Sequence, residues 1–223
     1  MSAPGTFAAS VRPALILFGF ALAFTALMAI THGATRETIQ ASVEAEKMKL
    51  IGEVLPAGTY DNALLADWVE IAPNAQLGLT EPTRVLRARR GTEPVALLVE
   101  AQANDGYGGA IRLLVAVAAE GSVLGVRVTQ HHETPGLGDY IDPRKDRDKA
   151  HPWIRRFEGH GLADIPPERW KVKKDGGSFD SVAGATISAR AVTGAVARAL
   201  AFAAAHRDAL FSARAGERLS TGA

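Results

Sequence analysis

The sequence predicts an α+β protein: an N-terminal single transmembrane helix, then one domain whose mainly antiparallel sheet is packed by helices. Three observations predict it. Residues 13–30 read PALILFGFALAFTALMAI, with no charge. β-rich runs crowd the middle of the chain, where "AIRLLVAVAAEGSVLGVRVTQHHE" carries a hairpin signal at Glu120, Gly121 and Ser122. Helical periodicity is confined to the flanks, so strands do not alternate with helices. The 223 residues suffice for one anchor and one domain of ordinary size.

The elements follow in chain order. An apolar run of about 18–20 residues crosses a hydrocarbon core about 30 Å thick. Arg12 marks its near edge; Thr31, His32 and Arg36 follow its far edge. A cleaved signal peptide is the alternative, but "ITHGATRE" is a poor cleavage site. Residues 1–34 are therefore expected to be a retained anchor. Arg12 against Arg36, Lys47 and Lys49 does not orient it. Residues 35–56 read as a linker helix with an irregular apolar stripe of Ile39, Val43, Met48, Ile51 and Val54, closed by Pro56. The domain is expected over 57–208. Within it "DNALLADWVEIA" has no clear pattern, while "TRVLRARR" and "EPVALLVEAQA" read as strands. A polar loop follows the hairpin, then a short helical segment over Trp153–Phe157, then "RWKVKK" as a further strand. The Ala-rich C-terminal segment repeats Val192, Val196 and Leu200 at helical spacing. It is short for a membrane span and carries Arg198, costly at bilayer depth, so it packs on the sheet. Residues 209–223 read as a polar, frayed tail.

Composition narrows the chemistry. Hydrophobic content of 47% with 22% charged residues specifies a packed core. A formal net charge of +1 gives no case for nucleic acid. There is no cysteine, which excludes disulfides, Cys-ligated zinc and Cys-ligated iron–sulfur clusters. Electron transfer through this chain would need an organic cofactor.

The chemistry-bearing stretch is "GGSFDSVAGATISARAV". Breakers at Asp175, Gly176, Gly177 and Ser178 precede it and a helix follows, so Thr186 falls in the first helical turn. That end of a helix offers unpaired N–H groups and partial positive charge, suited to phosphate. Gly184 and Ala185 permit close approach. Two readings stay open on the residues alone: a helix cap worth about 1 kcal/mol, or an attachment point. Asp180 is likewise either a turn carboxylate or a recognition group. "HHETPGLGD" is a second candidate, since Pro135-Gly136 suits a type II turn. His131, His132, Glu133 and Asp139 match no established zinc spacing, so no metal is expected. "NDGYGGA" is a third Gly-rich turn.

"DSVAGATISARAV" resembles the flavin-attachment motif of the FMN-binding domain family, in which the Thr carries FMN as a phosphoester. The anchor, "GYGGAIRLLVAV", "HHETPGLGDYI", "WIRRFEG" and "KKDGGSFDSVAGATISARAV", in that order, resemble the family of G subunits of the Rnf ion-translocating electron transport complex. That family is related to the C subunit of the sodium-pumping NADH:quinone reductase. One departure is Ala183, where many members have Ser or Thr. The resemblance implies covalent FMN on Thr186, with Asp180, Ser181, Gly184 and Ala185 around the attachment. It implies further cofactor contacts from Glu133, Thr134 and Leu137, with Tyr107 and Trp153 as candidates to stack on or cover the ring. An unactivated Thr hydroxyl is a poor nucleophile. The family relies on a separate Mg²⁺-dependent flavin transferase that uses FAD and releases AMP. The resemblance also implies partner subunits of the complex, contact with membrane lipid and an inner-membrane location. The N-terminus would lie inside and the domain in the periplasm, with no turnover by this subunit alone. A non-redox scaffold and a flavin reductase with non-covalent FMN are the alternatives.

Overall fold

The computed structural model describes residues 5–56 and 58–220. The chain divides into two compact units, one ending at Lys49 and one beginning at Leu50.

The first unit is helical. Helix α1 spans Gly5–Val54 without a break at residue 34, where the anchor and linker were expected to meet. Its segment Val11–His32 holds an 18-residue stretch with a mean hydropathy of 2.3 and runs for 22 residues. At 1.5 Å per residue that is about 33 Å, enough for a hydrocarbon core. Leu15, Leu17, Phe18, Phe24, Met28 and Ile30 are all exposed within the chain, an apolar surface that needs lipid. Of the expected linker stripe, Ile39 lies outside the residues whose side chains are described, and Val43 and Met48 are exposed. Ile51 and Val54 belong to the second unit and are buried.

The second unit is built on a six-stranded sheet in the order β5-β4-β3-β2-β1-β6. The strands are β1 Trp68–Ile71, β2 Thr83–Arg90, β3 Glu93–Gly106, β4 Gly109–Ala118, β5 Val123–Gln130 and β6 Arg218–Leu219. β1 to β5 pair antiparallel with their neighbours and β6 pairs parallel with β1. Side chains alternate between faces, as the pleat requires. Leu97, Val99, Ala101, Leu113 and Val115 point to one face, covered by helix α2 (Thr186–Ser212) through Val192, Ala195, Val196 and Ala199. Ala88, Ala96, Leu98, Leu114 and Ala116 point to the other, covered by Ile51, Val54, Leu55 and Leu64. That last turn of α1 lies directly on β5: a Cβ at Gly125 would come within 2.7 Å of the Val54 backbone.

Two expectations are corrected. "RWKVKK" forms no strand. Val172 makes a single bridge to Phe179, and the chain closes into a tight loop with Lys173 N–H on Phe179 O at 2.7 Å. Gly176 takes φ +81°, and a side chain at Gly177 would strike Lys171 O, so the glycines turn the chain back before a strand can extend. Residues 209–220 are not frayed. Helix α2 runs to Ser212 with Leu210 and Phe211 buried, and β6 fills the open edge of β1. Unpaired strand groups at a sheet edge favour such pairing.

Candidate functional site

The first turn of α2 begins at Thr186, one residue later than a capping threonine would stand. The cap position is Ala185 (φ −132°, ψ 35°), which has no side-chain oxygen, and no side chain caps this end. The hydroxyl of the half-buried Thr186 makes no hydrogen bond to the described residues. The cap reading therefore fails on geometry: the hydroxyl is not engaged with the helix it starts. Gly184 sits at φ +85°, in the left-handed region, and turns the chain into the helix. Behind the turn, Tyr140 donates its hydroxyl proton to Ala185 O at 3.2 Å. Burial pushes the Tyr140 phenol up to about 12, so it stays a donor.

Three segments meet beside Thr186 around a cleft of about 230 Å³. The tip of the β3–β4 hairpin contributes Tyr107. The loop after β5 contributes Glu133, Thr134, Leu137 and Gly138. The start of α2 contributes Gly184, Ala185, Ile187 and Ser188, flanking Thr186. Glu133 ties the segments together. Only 4% exposed, it accepts Gly108 N–H on Oε1 at 2.9 Å and the Ser188 hydroxyl on Oε2. Glycines make the room. A Cβ at Gly106 would meet Glu133 Oε1, one at Gly138 would meet Glu133 Oε2 and Ser188 Oγ, and one at Gly108 would overlap His132 O. Outside α1, the exposed large apolar residues of the described chain are Tyr107, Leu137, Val182 and Ile187. Three line the cleft and Val182 belongs to the loop leading to Thr186.

The structure thus brings together Tyr107, Glu133, Thr134, Leu137, Gly184 and Ala185 beside Thr186. It does not bring Trp153, Asp180 or Ser181 into the cleft lining. Trp153 is 4% exposed and packs edge-on against Tyr140 and Phe157, with ring centroids 5.3 Å apart in both pairs. Its Nε1 donates to Asp180 O at 2.7 Å. It is a core residue that braces the loop and does not line the cleft. Asp180 pairs with Lys173 and Arg156, each at 2.8 Å. The Lys173 hydrogen bond, aided by the Arg156 charge, holds its carboxyl below the usual range. Gly108, Gly138, Ile187 and Ser188 escaped the sequence reading. Ser188, four residues before Val192 and polar on an otherwise apolar stripe, was the visible signal. His131 Nδ1 accepts the Glu133 N–H at 3.2 Å, and Asp139 accepts Gly136 N–H at 2.9 Å. Both groups serve the turn, and no cluster of metal-ligating side chains occurs among the described residues.

The donor set fits a flavin phosphate. Helix N–H groups without intrahelical partners suit an anion, an unengaged hydroxyl stands among them, and an exposed apolar rim suits a planar ring. These features define a membrane-anchored α+β protein with a cofactor cleft at a helix N-terminus. Residues 106–201 match the model of the FMN-binding domain, and residues 1–54 match that of the RnfG N-terminal region. The chain is 43% identical to the G subunit of the ion-translocating oxidoreductase complex of Shewanella loihica, over 91% of this chain and 93% of that one. It is 44% identical to the Yersinia pestis G subunit, over 84% and 87%, and 42% identical to that of Pseudomonas aeruginosa, over 91% and 92%. This chain belongs to the family of G subunits of the ion-translocating oxidoreductase complex.

Proposed function

We propose that this chain carries FMN as a phosphoester on the Thr186 hydroxyl and relays electrons through it within an Rnf-type membrane complex. The observation that carries the reading is the Thr186 hydroxyl: it begins α2, caps nothing and stands between cleft residues Ala185 and Ile187. FMN, when bound, supplies one- and two-electron chemistry. The chain's own residues have other tasks. The first turn of α2 holds the phosphate, and Tyr107, Leu137 and Ile187 offer apolar contact to the ring. Glu133 fixes the hairpin tip and loop relative to the helix. A covalent bond suits a cleft this open, where a weakly held cofactor would be lost to solvent.

In this reading a Mg²⁺-dependent flavin transferase with FAD loads the threonine. The surrounding subunits couple electron flow to ion transport, with the domain on the periplasmic side of the inner membrane. Intact-mass measurement on chain purified from its native membrane tests the assignment. The expected mass exceeds the polypeptide by one FMN less one water, and Thr186→Ala abolishes both the increment and the fluorescence of the denatured band. Fluorescence lost on denaturation would favour a non-covalent flavin protein. A bare mass alongside active partner subunits would favour a scaffold.

A further inference from the structure

The loop that leads into Thr186 is pinned at both ends. At its start, Asp180 is held three times. Arg156 Nη1 binds Oδ2 at 2.8 Å, Lys173 Nζ binds Oδ1 at 2.8 Å, and Trp153 Nε1 binds the main-chain oxygen at 2.7 Å. At its end, Tyr140 holds Ala185 O. Between the pins lies an arch, residues 181–184, closed by Ala185 N–H on Val182 O at 3.1 Å, with Val182, Ala183 and Gly184 exposed. The two cations come from separate segments. Arg156 stands on the 3-10 turn Trp153–Phe157, and Lys173 on the loop closed by its own N–H on Phe179 O. Each takes a different carboxylate oxygen, so the carboxylate is fixed in orientation as well as in place. All three side chains are about half exposed. Ion pairs that wet contribute little to global stability, so the effect of this one is local.

We propose that Arg156 and Lys173 are positioning residues for flavin loading: through Asp180 they set the arch that presents the Thr186 hydroxyl to the flavin donor. This rests on the reading of Thr186 as the attachment point. In the step concerned, Thr186 Oγ1 bonds to the riboflavin-side phosphorus of FAD, the P–O bond of the pyrophosphate bridge breaks and AMP leaves. The hydroxyl proton passes to a base of the transferase or to water, and no electron changes hands. Small displacements of a reacting group cost rate steeply, whereas they need not cost stability.

The test uses the full chain in detergent with the transferase, Mg²⁺ and FAD, following in-gel flavin fluorescence over time. Arg156→Ala and Lys173→Ala are each expected to slow loading roughly tenfold or more. The double variant should be no slower than Asp180→Ala, because all three act through one carboxylate. Lys173→Arg should keep most of the rate. Asp175→Asn, which breaks the neighbouring pair to Arg190, should leave it unchanged. Hydrogen exchange at residues 181–185 should rise in the slowed variants while Tm moves by no more than about 2 °C. Loading of both cation variants at the wild-type rate overturns the proposal. So does slowing by Asp180→Ala alone, which would mean that the transferase reads the carboxylate directly. Slowing that tracks a fall in Tm also overturns it. A wild-type chain that takes no covalent flavin overturns the attachment reading itself, and the positioning role with it.

Discussion

The two ends of α2 are finished in opposite ways. At the C-terminal end, Arg87 donates to Leu210 O at 2.8 Å and Ala213 O at 2.6 Å, and Arg89 donates to Phe211 O at 2.5 Å. Asp67 binds both guanidinium groups. Cations there answer the partial negative charge of the helix end. At the N-terminal end, Ala185 offers no side-chain acceptor and Thr186 engages nothing described. One end is closed by the protein's own charges; the other has no side-chain cap and is the end proposed to hold the flavin phosphate. The stability of the helix and its chemistry are thus assigned to opposite termini, and the two can be perturbed separately.

The largest expected effect comes at the closed end. Arg87 is 2% exposed. Arg87→Met keeps the stem but leaves two carbonyls without their donor and Asp67 with Arg89 as its remaining cation, and losing the buried partner in this way costs about 3 kcal/mol. Thermal unfolding of the detergent-solubilised chain should show Tm lower by about 10 °C, with Thr186 still loaded below that temperature. At the open end, Glu133→Ala leaves the Gly108 N–H and the Ser188 hydroxyl without their acceptor, at a cost of about 1–3 kcal/mol. It should also loosen the hairpin tip, seen as faster hydrogen exchange at residues 107–109. Tyr140→Phe removes one hydrogen bond and should cost about 1 kcal/mol near neutral pH. Its pH signature is more telling. The folded phenol is raised from 10.0 to about 12. Wild-type stability should therefore be intact below pH 10 and fall as pH climbs from 10 towards 12, while the Phe variant loses that slope. The smallest effect sharpens the comparison most. Thr186→Val in the flavin-free chain should shift urea unfolding by less than about 0.5 kcal/mol, whereas loss of a working cap would cost about 1 kcal/mol.

Much of the fold was legible because local patterns carried it. The charge-free run at 13–30 and the apolar run in "EPVALLVEAQA" each report their own surroundings, and both appear as expected in α1 and β3. The hairpin at Gly121 follows from turn chemistry alone. What escaped depends on partners far along the chain. "RWKVKK" has strand composition, yet its backbone is recruited by Phe179 and the glycines that follow. Arg218 and Leu219 are too few to carry a strand pattern, and only the open edge of β1 makes them a strand. At the site, Glu133, Leu137 and Gly184 could be nominated from their motifs. Gly138 could not, because its importance lies in meeting Glu133 across the fold, and Ser188 showed in sequence only as a polar residue on an apolar stripe. Trp153 misled because an aromatic residue near a cofactor motif looks the same in sequence whether it faces the ring or the core.

The parallel pairing of Arg218–Leu219 with β1 has a consequence for synthesis. Whichever end of the sheet assembles first, the β1 border stays unsealed until residues 218–219 have left the ribosome. A chain stopped at Ser212 would present that border to its siblings, and a fusion placed directly after Leu219 would compete for the same hydrogen bonds.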